Sequence, residues 1–280
     1  MTTIIGNSGF IGSHLVNYLK QNLQNEKELF LPKKHENIDG KNLGDIIFCA
    51  GLTSDAKYKS FETIDAHVTL LQRIITNNTF NSITYCSSTR LYIHNEKTTE
   101  SSKVVVDANE NFDLFNISKL LGESLLKNTV KNFKIVRISN VVGDDFLSEN
   151  FLTSIVKEAL ETKKIKLYSS SKSSKDYVYI DDVVKLITTI AFSKEAFGIY
   201  NLASGFNITN EEIVEIVKQN IDCSVNYNKE AKDIIFPVID INRIKTEFDF
   251  TPQTHYTFYI KKFIQNYKSF FYKTNATFPN

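Results

Sequence analysis

The chain has 280 residues, 42% hydrophobic and 23% charged, and its 33 basic and 32 acidic side chains leave a net charge of +1. This is the composition of a globular protein long enough to bury a sizeable core, and the balanced charge argues against a dedicated nucleic-acid binder. No apolar run approaches the roughly 18 residues that span a bilayer, the N-terminus enters a strand pattern without a leader, and Cys49, Cys86 and Cys223 lack metal-ligand or disulfide spacing. These features predict a cytoplasmic protein without a metal.

The first predicted element is a strand, Thr3–Ile5. It runs into Gly6-Asn7-Ser8-Gly9-Phe10-Ile11-Gly12, and that turn opens an apolar-periodic helix, Ile11–Asn22. Strand, glycine turn and helix in this order suit a dinucleotide. The first glycine permits the tight turn, the second lets the backbone approach a pyrophosphate, and the third lets helix pack on strand. The helix start offers unpaired N–H groups to the anion.

Next come strand patterns at Glu28–Leu31 and Asp45–Cys49, the latter followed by Ala50-Gly51, small enough for a cofactor to lie across. A helix at Phe61–Asn77, a strand at Ser82–Cys86, a helix at Asn111–Asn128 and a strand at Phe133–Ile138 follow. The alternation predicts an α/β fold with a Rossmann-type, doubly wound parallel sheet. After Gly143 the spacing gives a helix at Glu149–Glu161, a strand at Ile165–Tyr168 and a serine- and lysine-rich loop, Ser169–Lys175, read as a mobile surface loop. A strand at Tyr177–Ile180, a helix capped by Asp181-Asp182, a strand at Gly198–Leu202 and a helix from Thr209-Asn210-Glu211-Glu212 to about Asn220 complete the pattern. The expected division is a dinucleotide-binding domain over 1–145, with a returning segment at about 176–203. Residues 146–175 and 204–280 then form a smaller, mixed α/β C-terminal lobe for substrate.

Three further segments fall in order: Tyr85-Cys86-Ser87-Ser88-Thr89-Arg90-Leu91-Tyr92, Phe115-Asn116-Ile117-Ser118-Lys119-Leu120-Leu121-Gly122-Glu123 and Arg137-Ile138-Ser139-Asn140-Val141-Val142-Gly143. With the Gly6–Gly12 turn and Lys175-Asp176-Tyr177-Val178-Tyr179-Ile180-Asp181-Asp182-Val183, the chain resembles the extended short-chain dehydrogenase/reductases that modify nucleotide sugars. The resemblance covers nearly the whole chain. It implies that Gly6, Ser8, Gly9, Phe10, Ile11 and Gly12 hold the cofactor, with Ala50 and Gly51 on its adenosine side. It places Ser88 as the catalytic hydroxyl and Lys119 as the lysine of a Tyr-x-x-x-Lys pair that binds the nicotinamide ribose. Ser88, Thr89, Asn140 and Lys175 (arginine elsewhere in the family) would face the substrate. The resemblance also implies a homodimer formed through the helices at Phe61–Asn77 and Asn111–Asn128.

Phe115 stands where the resemblance expects the catalytic tyrosine. An ammonium four residues along a helix shares the phenol's face and favours phenolate, which brings a group of pKa near 10 toward working range. Phenylalanine has no proton to transfer. Three readings follow: an introduced, inactivating tyrosine-to-phenylalanine substitution, another acid with Ser88 or Thr89 relaying through water, or binding without reaction. Two further departures are Ile93 in place of glycine and His67 in place of asparagine. His67 reads as a packed helical histidine or as an imidazole that replaces the asparagine's hydrogen bond.

Dehydratases of this family carry an Asp-Glu pair where this chain has Thr89-Arg90, which disfavours dehydration. The resemblance then implies a NAD(P)-dependent 4-keto sugar reductase of deoxysugar biosynthesis, with a 4-epimerase or a non-catalytic nucleotide-binding protein as alternatives. Lys33-Lys34 after the second strand, with no acidic residue placed to grip a ribose 2′-hydroxyl, tilts the cofactor toward NADP over NAD.

Overall fold

Thr2–Ile5 are four consecutive buried residues, so the first strand is covered on both faces, as parallel sheets flanked by helices require. The computed structural model describes residues 1–22, 29–52, 59–110, 113–228, 230–253 and 255–276. Its strands are β1 Thr2–Ile5, β2 Leu29–Phe30, β3 Asp45–Phe48, β4 Ser82–Ser88, β5 Phe133–Ile138, β6 Asn140–Val142, β7 Lys164–Leu167, β8 Ser174–Tyr179, β9 Gly198–Leu202, β10 Asn207–Thr209 and β11 Ser224–Tyr227. Its α-helices are α1 Phe10–Asn22, α2 Ser60–Ile64, α3 Leu70–Asn77, α4 Asp113–Thr129, α5 Phe151–Thr162, α6 Ile180–Phe192, α7 Asn210–Asn220, α8 Asn242–Phe248 and α9 Tyr256–Ala276.

Six strands form one sheet in the order β2-β1-β3-β4-β5-β9, and every pairing is parallel. The chain runs outward from β1 to β2, then returns to lay β3 on β1's other side. The crevice at the carboxyl ends of β1 and β3 is therefore the topological switch point, where open α/β sheets bind ligands. Helix α6 packs beside α1, so the chain after β8 returns to this sheet before β9 joins its edge. A three-stranded sheet, β10-β8-β6, and a two-stranded one, β11-β7, lie beyond it. One apolar core runs from Ile4 and Ile47 in the large sheet to Tyr259 and Ile264 of α9.

The observed strands match the expected ones to within about two residues at most ends, and the residues 28 and 111 that began two expected elements lie outside the described residues. The helix expected over Phe61–Asn77 is instead interrupted by a π-helical turn, Asp65–Thr69, that contains the fully buried His67. Ser169–Lys175 is not a mobile surface loop. Ser174 and Lys175 already belong to β8, Ser170 and Ser173 are buried, and the carbonyls of Ser171 and Ser173 accept from Glu211 and Asn210 N–H. Serine composition pointed to solvent, but these hydroxyls and carbonyls are partnered inside.

Asp181 and Asp182 do not cap α6. Tyr179 is the N-cap and makes no side-chain cap bond, while both aspartates lie in the first turn, where the helix dipole favours them. Asp182 accepts from Gln253 N–H at 2.8 Å. The capping sequence before α7 forms as read: Thr209 Oγ1 accepts from Glu212 N–H and the Glu212 carboxylate accepts from Thr209 N–H. Ile93 closes the 3-10 turn Thr89–Tyr92 at a helical φ of −54°, so no glycine is needed there.

Candidate active-site cleft

The glycine turn is built for close approach. Gly6 has φ +84°, and a Cβ there would lie 2.6 Å from Ala50 N. A Cβ on Gly12 would lie 2.1 Å from Gly6 O, so this position admits no side chain without moving the backbone. Gly9 N–H donates to Gly6 O, and Gly9 O accepts from Ser13 N–H as α1 begins. Ser8 and Gly9 are exposed at the rim of the turn. Asn7 Nδ2 ties the turn to the chain after β2 by donating to Pro32 O at 2.7 Å. Lys33 and Lys34 are exposed there, and Glu36 turns back so that its carboxylate accepts from Lys33 N–H at 2.8 Å.

Beside this turn opens a cleft of about 520 Å³ whose wall includes Phe10, Ile11, Gly51, Ser88, Thr89, Phe115, Lys119, Asn140 and Lys175. Residues widely spaced in sequence thus face one space, with Ala50 held against Gly6 at its edge.

Helix α4 supplies the cleft's inner wall, and its buried face is mostly polar: Asn116, Ser118, Lys119, Gly122 and Glu123. Lys119 Nζ donates to Cys86 O at 2.9 Å and lies 5.0 Å from the Tyr85 ring centroid. Burial brings the ammonium down to about 8, despite attraction from Cys86, Cys49 and Glu123. A Cβ on Gly51 would meet Lys119 Nζ at 3.2 Å and His67 Nε2 at 3.0 Å, so the glycine makes room for both side chains.

Phe115 lines the cleft, and its ring packs edge-on against His67 with centroids 5.3 Å apart. His67 Nε2 accepts from Leu52 N–H, which leaves Nδ1 to donate to Ser118 Oγ at 2.8 Å, and Ser118 Oγ donates to Phe115 O. Burial, then the Lys119 charge, hold His67 down to about 3. It is a neutral imidazole, packed in its helix as the first reading has it and hydrogen-bonded through both nitrogens.

Ser88 ends β4, and its Oγ accepts from Arg90 N–H at 3.1 Å as N-cap of the Thr89–Tyr92 turn. Asn140 begins β6 and donates from Nδ2 to Asp176 O at 2.8 Å. Lys175 reaches the cleft from β8, its Nζ 5.8 Å from the Phe151 centroid and 5.4 Å from that of Tyr177. Burial, reinforced by the Arg90 charge, brings Lys175 down to about 8. Among the described residues lining the cleft, Asp145 is the one carboxylate, and burial raises it.

Two supporting networks had no role in the sequence reading. Arg137 donates from Nε and Nη2 to Glu123 at 2.9 and 2.6 Å, and from Nη1 to Tyr92 OH at 2.6 Å. Tyr92 OH donates to Asn201 Oδ1, and Ser87 Oγ to Glu123. Asp176 accepts from Ser139 Oγ, Ser204 Oγ and the N–H groups of Ser204, Gly205 and Phe206. An arginine inside the buried strand Phe133–Ile138 was the available signal, because a charge there requires a partner.

Comparison with known proteins gives the chain's family. Residues 46–203 match the NAD dependent epimerase/dehydratase family. A curated protein named dTDP-D-glucose 4,6-dehydratase from Dictyostelium discoideum is 27% identical over an alignment covering 79% of this chain, which spans 62% of that protein's length. In fold the chain is similar to RMD from Pseudomonas aeruginosa complexed with NADPH, at a TM-score of 0.74 and 17% identity, covering 96% of this chain and 98% of that one. It is also similar to a tyrosine-to-phenylalanine mutant of UDP-glucuronic acid 4-epimerase from Bacillus cereus, in complex with UDP-4-deoxy-4-fluoro-glucuronic acid and NAD. There the TM-score is 0.76 at 16% identity, covering 96% of this chain and 100% of that one. With more than half its length matched, the chain belongs to the NAD dependent epimerase/dehydratase family.

Proposed function

We propose that the chain is a NAD(P)-dependent oxidoreductase of a nucleotide-linked sugar, with reduction of a 4-keto sugar as its reaction and Phe115 at the position of the general acid. One observation supports this reading: Phe10 and Ile11 of the glycine turn, Gly51, Ser88 and Lys119 line a single cleft. The cradle fits a dinucleotide because Gly6 and Gly12 let the turn pack tightly where a Cβ would strike backbone, and the rim at Ser8 and Gly9 is exposed for a diphosphate to approach. When bound, a nicotinamide coenzyme would supply hydride to the sugar carbon.

The chain's own residues divide the remaining work. Gly6, Ser8, Gly9, Phe10, Ile11 and Gly12 would hold the diphosphate, Ala50 and Gly51 the adenosine side, and Lys119 the ribose hydroxyls. Ser88 and Thr89 would hydrogen-bond the sugar, with Asn140 and Lys175 toward the substrate's diphosphate. Phe115 supplies no proton, so the product oxygen lacks its donor there. Dehydration is disfavoured because it needs a paired acid and base, while Arg90 follows Thr89 and Asp145 is the one carboxylate among the described cleft residues. The exposed pair Lys33-Lys34 favours NADP over NAD. Residues 1–145 with the return at about 176–203 would bind the coenzyme, and 146–175 with 204–280 the substrate, in a cytoplasmic homodimer. Phe61 of α2 and Leu121 of α4, 90% and 50% exposed, lie on the helices through which that dimer would pair.

A second reading, binding without turnover, is favoured by Phe115 itself: its neighbour His67 is neutral and engaged at both nitrogens, so that wall offers no replacement acid. The test incubates the protein and its Phe115→Tyr variant with NADPH or NADH and a panel of nucleotide-linked 4-keto sugars. Coenzyme oxidation by the tyrosine variant supports the reductase. Product epimerisation without coenzyme loss moves the assignment to a 4-epimerase, and binding with no chemistry in either protein moves it to the second reading.

A further inference from the structure

Spacing along the chain gives Cys49 and Cys86 no reason to pair, but the sheet supplies one. Strands β3 and β4 are parallel neighbours with Phe48 opposite Tyr85, so Cys49 and Cys86 come next on each side and share a face. Each is also held from its outer side: Cys49 N–H donates to Ile5 O at 2.8 Å, and Cys86 is opposite Val136 of β5. Their Sγ atoms lie 3.5 Å apart, one thiol donating to the other. Neighbouring strands run about 4.8 Å apart, inside the roughly 4.4–6.8 Å that disulfides span between Cα atoms. Bringing the sulfurs to about 2 Å therefore takes side-chain rotation and a small shift of the strand ends. Both cysteines line the cleft, and Cys49 is the half-buried one, so an oxidant entering the cleft meets it first. Cys223, just before β11, is not among the described residues of that wall.

Two backbone contacts tie this pair to the rest of the cleft. A Cβ on Gly6 would lie 2.8 Å from the Cys49 carbonyl carbon, so the Cys49 backbone packs on the glycine turn. The Cys86 carbonyl accepts from Lys119 Nζ at 2.9 Å. We propose that Cys49 and Cys86 are an oxidative modification site, which a hydroperoxide converts to an internal disulfide, and that the bridged protein binds nicotinamide coenzyme more weakly. Cys49 Sγ attacks one peroxide oxygen, the O–O bond breaks, and the thiol proton leaves with the departing oxygen as water. Cys86 Sγ then attacks the Cys49 sulfenic sulfur. An S–S bond replaces the S–O bond, and the Cys86 proton leaves with the hydroxyl as a second water. The two thiols together lose two electrons and the peroxide gains them. The facing Cys86 thiol and burial push Cys49 up, while the Lys119 charge pulls it down, so the pair is kept as thiols until an oxidant is sustained. The bridge stands on the strand geometry alone, and its effect on coenzyme rests on the coenzyme reading of the cleft.

The experiment treats fully reduced wild type with excess hydrogen peroxide at pH 7, alkylates the remaining thiols and maps the peptides by mass spectrometry. NADH binding is read by fluorescence before oxidation, after it, and after dithiothreitol. The expected product is a pair of peptides joined through Cys49 and Cys86, two hydrogens lighter than the reduced pair. NADH binding should weaken about tenfold, or about 1.4 kcal/mol, and dithiothreitol should restore it. Cys49→Ala should form no internal bridge, and Cys86→Ala should leave a Cys49 sulfenic acid that dimedone captures. Neither variant should lose NADH binding reversibly on oxidation. Cys49 and Cys86 both still free once Cys223 is oxidised overturns the inference, and so do bridges found only between molecules. An internal bridge that leaves NADH binding unchanged overturns the link to the coenzyme. Reduced wild type that takes up neither NADH nor NADPH overturns the coenzyme reading instead, and the peptide map still decides the bridge.

Discussion

Lys119 Nζ donates to the Cys86 carbonyl at 2.9 Å from the helix position one turn beyond Phe115. In the proposed phenol–lysine pair the lysine is pinned to the end of β4 near Ser88, and the phenol's position holds a hydrocarbon ring. Burial lowers the pKa of the Lys119 ammonium, which bonds to no carboxylate among the described residues.

Lys119→Met should be at least as stable as wild type at pH 7, since it removes a buried charge and keeps the side chain's length. The sign follows from linkage. The folded pKa of about 8 lies below the unfolded value of roughly 10.4, so between those values the unfolded chain binds more protons and stability rises with pH by up to about 1.4 kcal/mol per unit. Urea denaturation at pH 7 and pH 10 should show any advantage of Lys119→Met shrinking at the higher pH. An advantage that grows with pH would contradict the assignment.

His67 should show no titration between pH 5 and 8, because burial holds it down to about 3. Its contribution to stability is complete above the unfolded pKa of about 6.5 and is lost as pH falls toward 3, at about 1.4 kcal/mol per unit. Imidazole proton resonances followed by NMR give the check, and a His67 midpoint near 6.5 would show that the ring is open to water.

The Glu123–Arg137 pair is buried on both sides, at 0% and 2% side-chain exposure. Breaking it strands a charge, so Arg137→Met should cost about 3–5 kcal/mol in denaturant unfolding. Replacing Arg137 and Glu123 together with apolar residues should cost less than the single change. A loss under 1 kcal/mol for Arg137→Met would mean that the pair is not sealed from solvent.

Gly12→Ala places a methyl group 2.1 Å from the Gly6 carbonyl, a distance no contact tolerates. The turn must move, at about 1–3 kcal/mol for an overpacked site, and NADH binding, read by fluorescence, should fall with it. Unchanged binding would remove the turn from the cofactor site.

The large sheet was legible in the sequence because its strands are short apolar runs, most of them separated by helical periodicity, and the glycine turn marked its switch point. Residues such as Ser88, Lys119 and Lys175 could be singled out as motif members, but their environments could not. A buried lysine and a solvated one look alike as letters, and so do a neutral histidine in a π turn and an exposed helical one. The Ser169–Lys175 loop failed for the same reason: its serines find partners from α7 and the chain near Asp233, a long way off in sequence. Arg90 passed as a bare departure from the Asp-Glu pattern until the fold put it in the cleft wall with Lys175.

The most direct measurement compares this protein with Phe115→Tyr for oxidation of NADPH or NADH in the presence of nucleotide-linked 4-keto sugars. The account predicts turnover by the tyrosine variant at least a hundredfold above the parent, the lower range for a positioned general acid, with nucleotide-sugar binding unchanged. Equal rates in the two proteins, or none in either, would contradict the placement of Phe115 at the general-acid position.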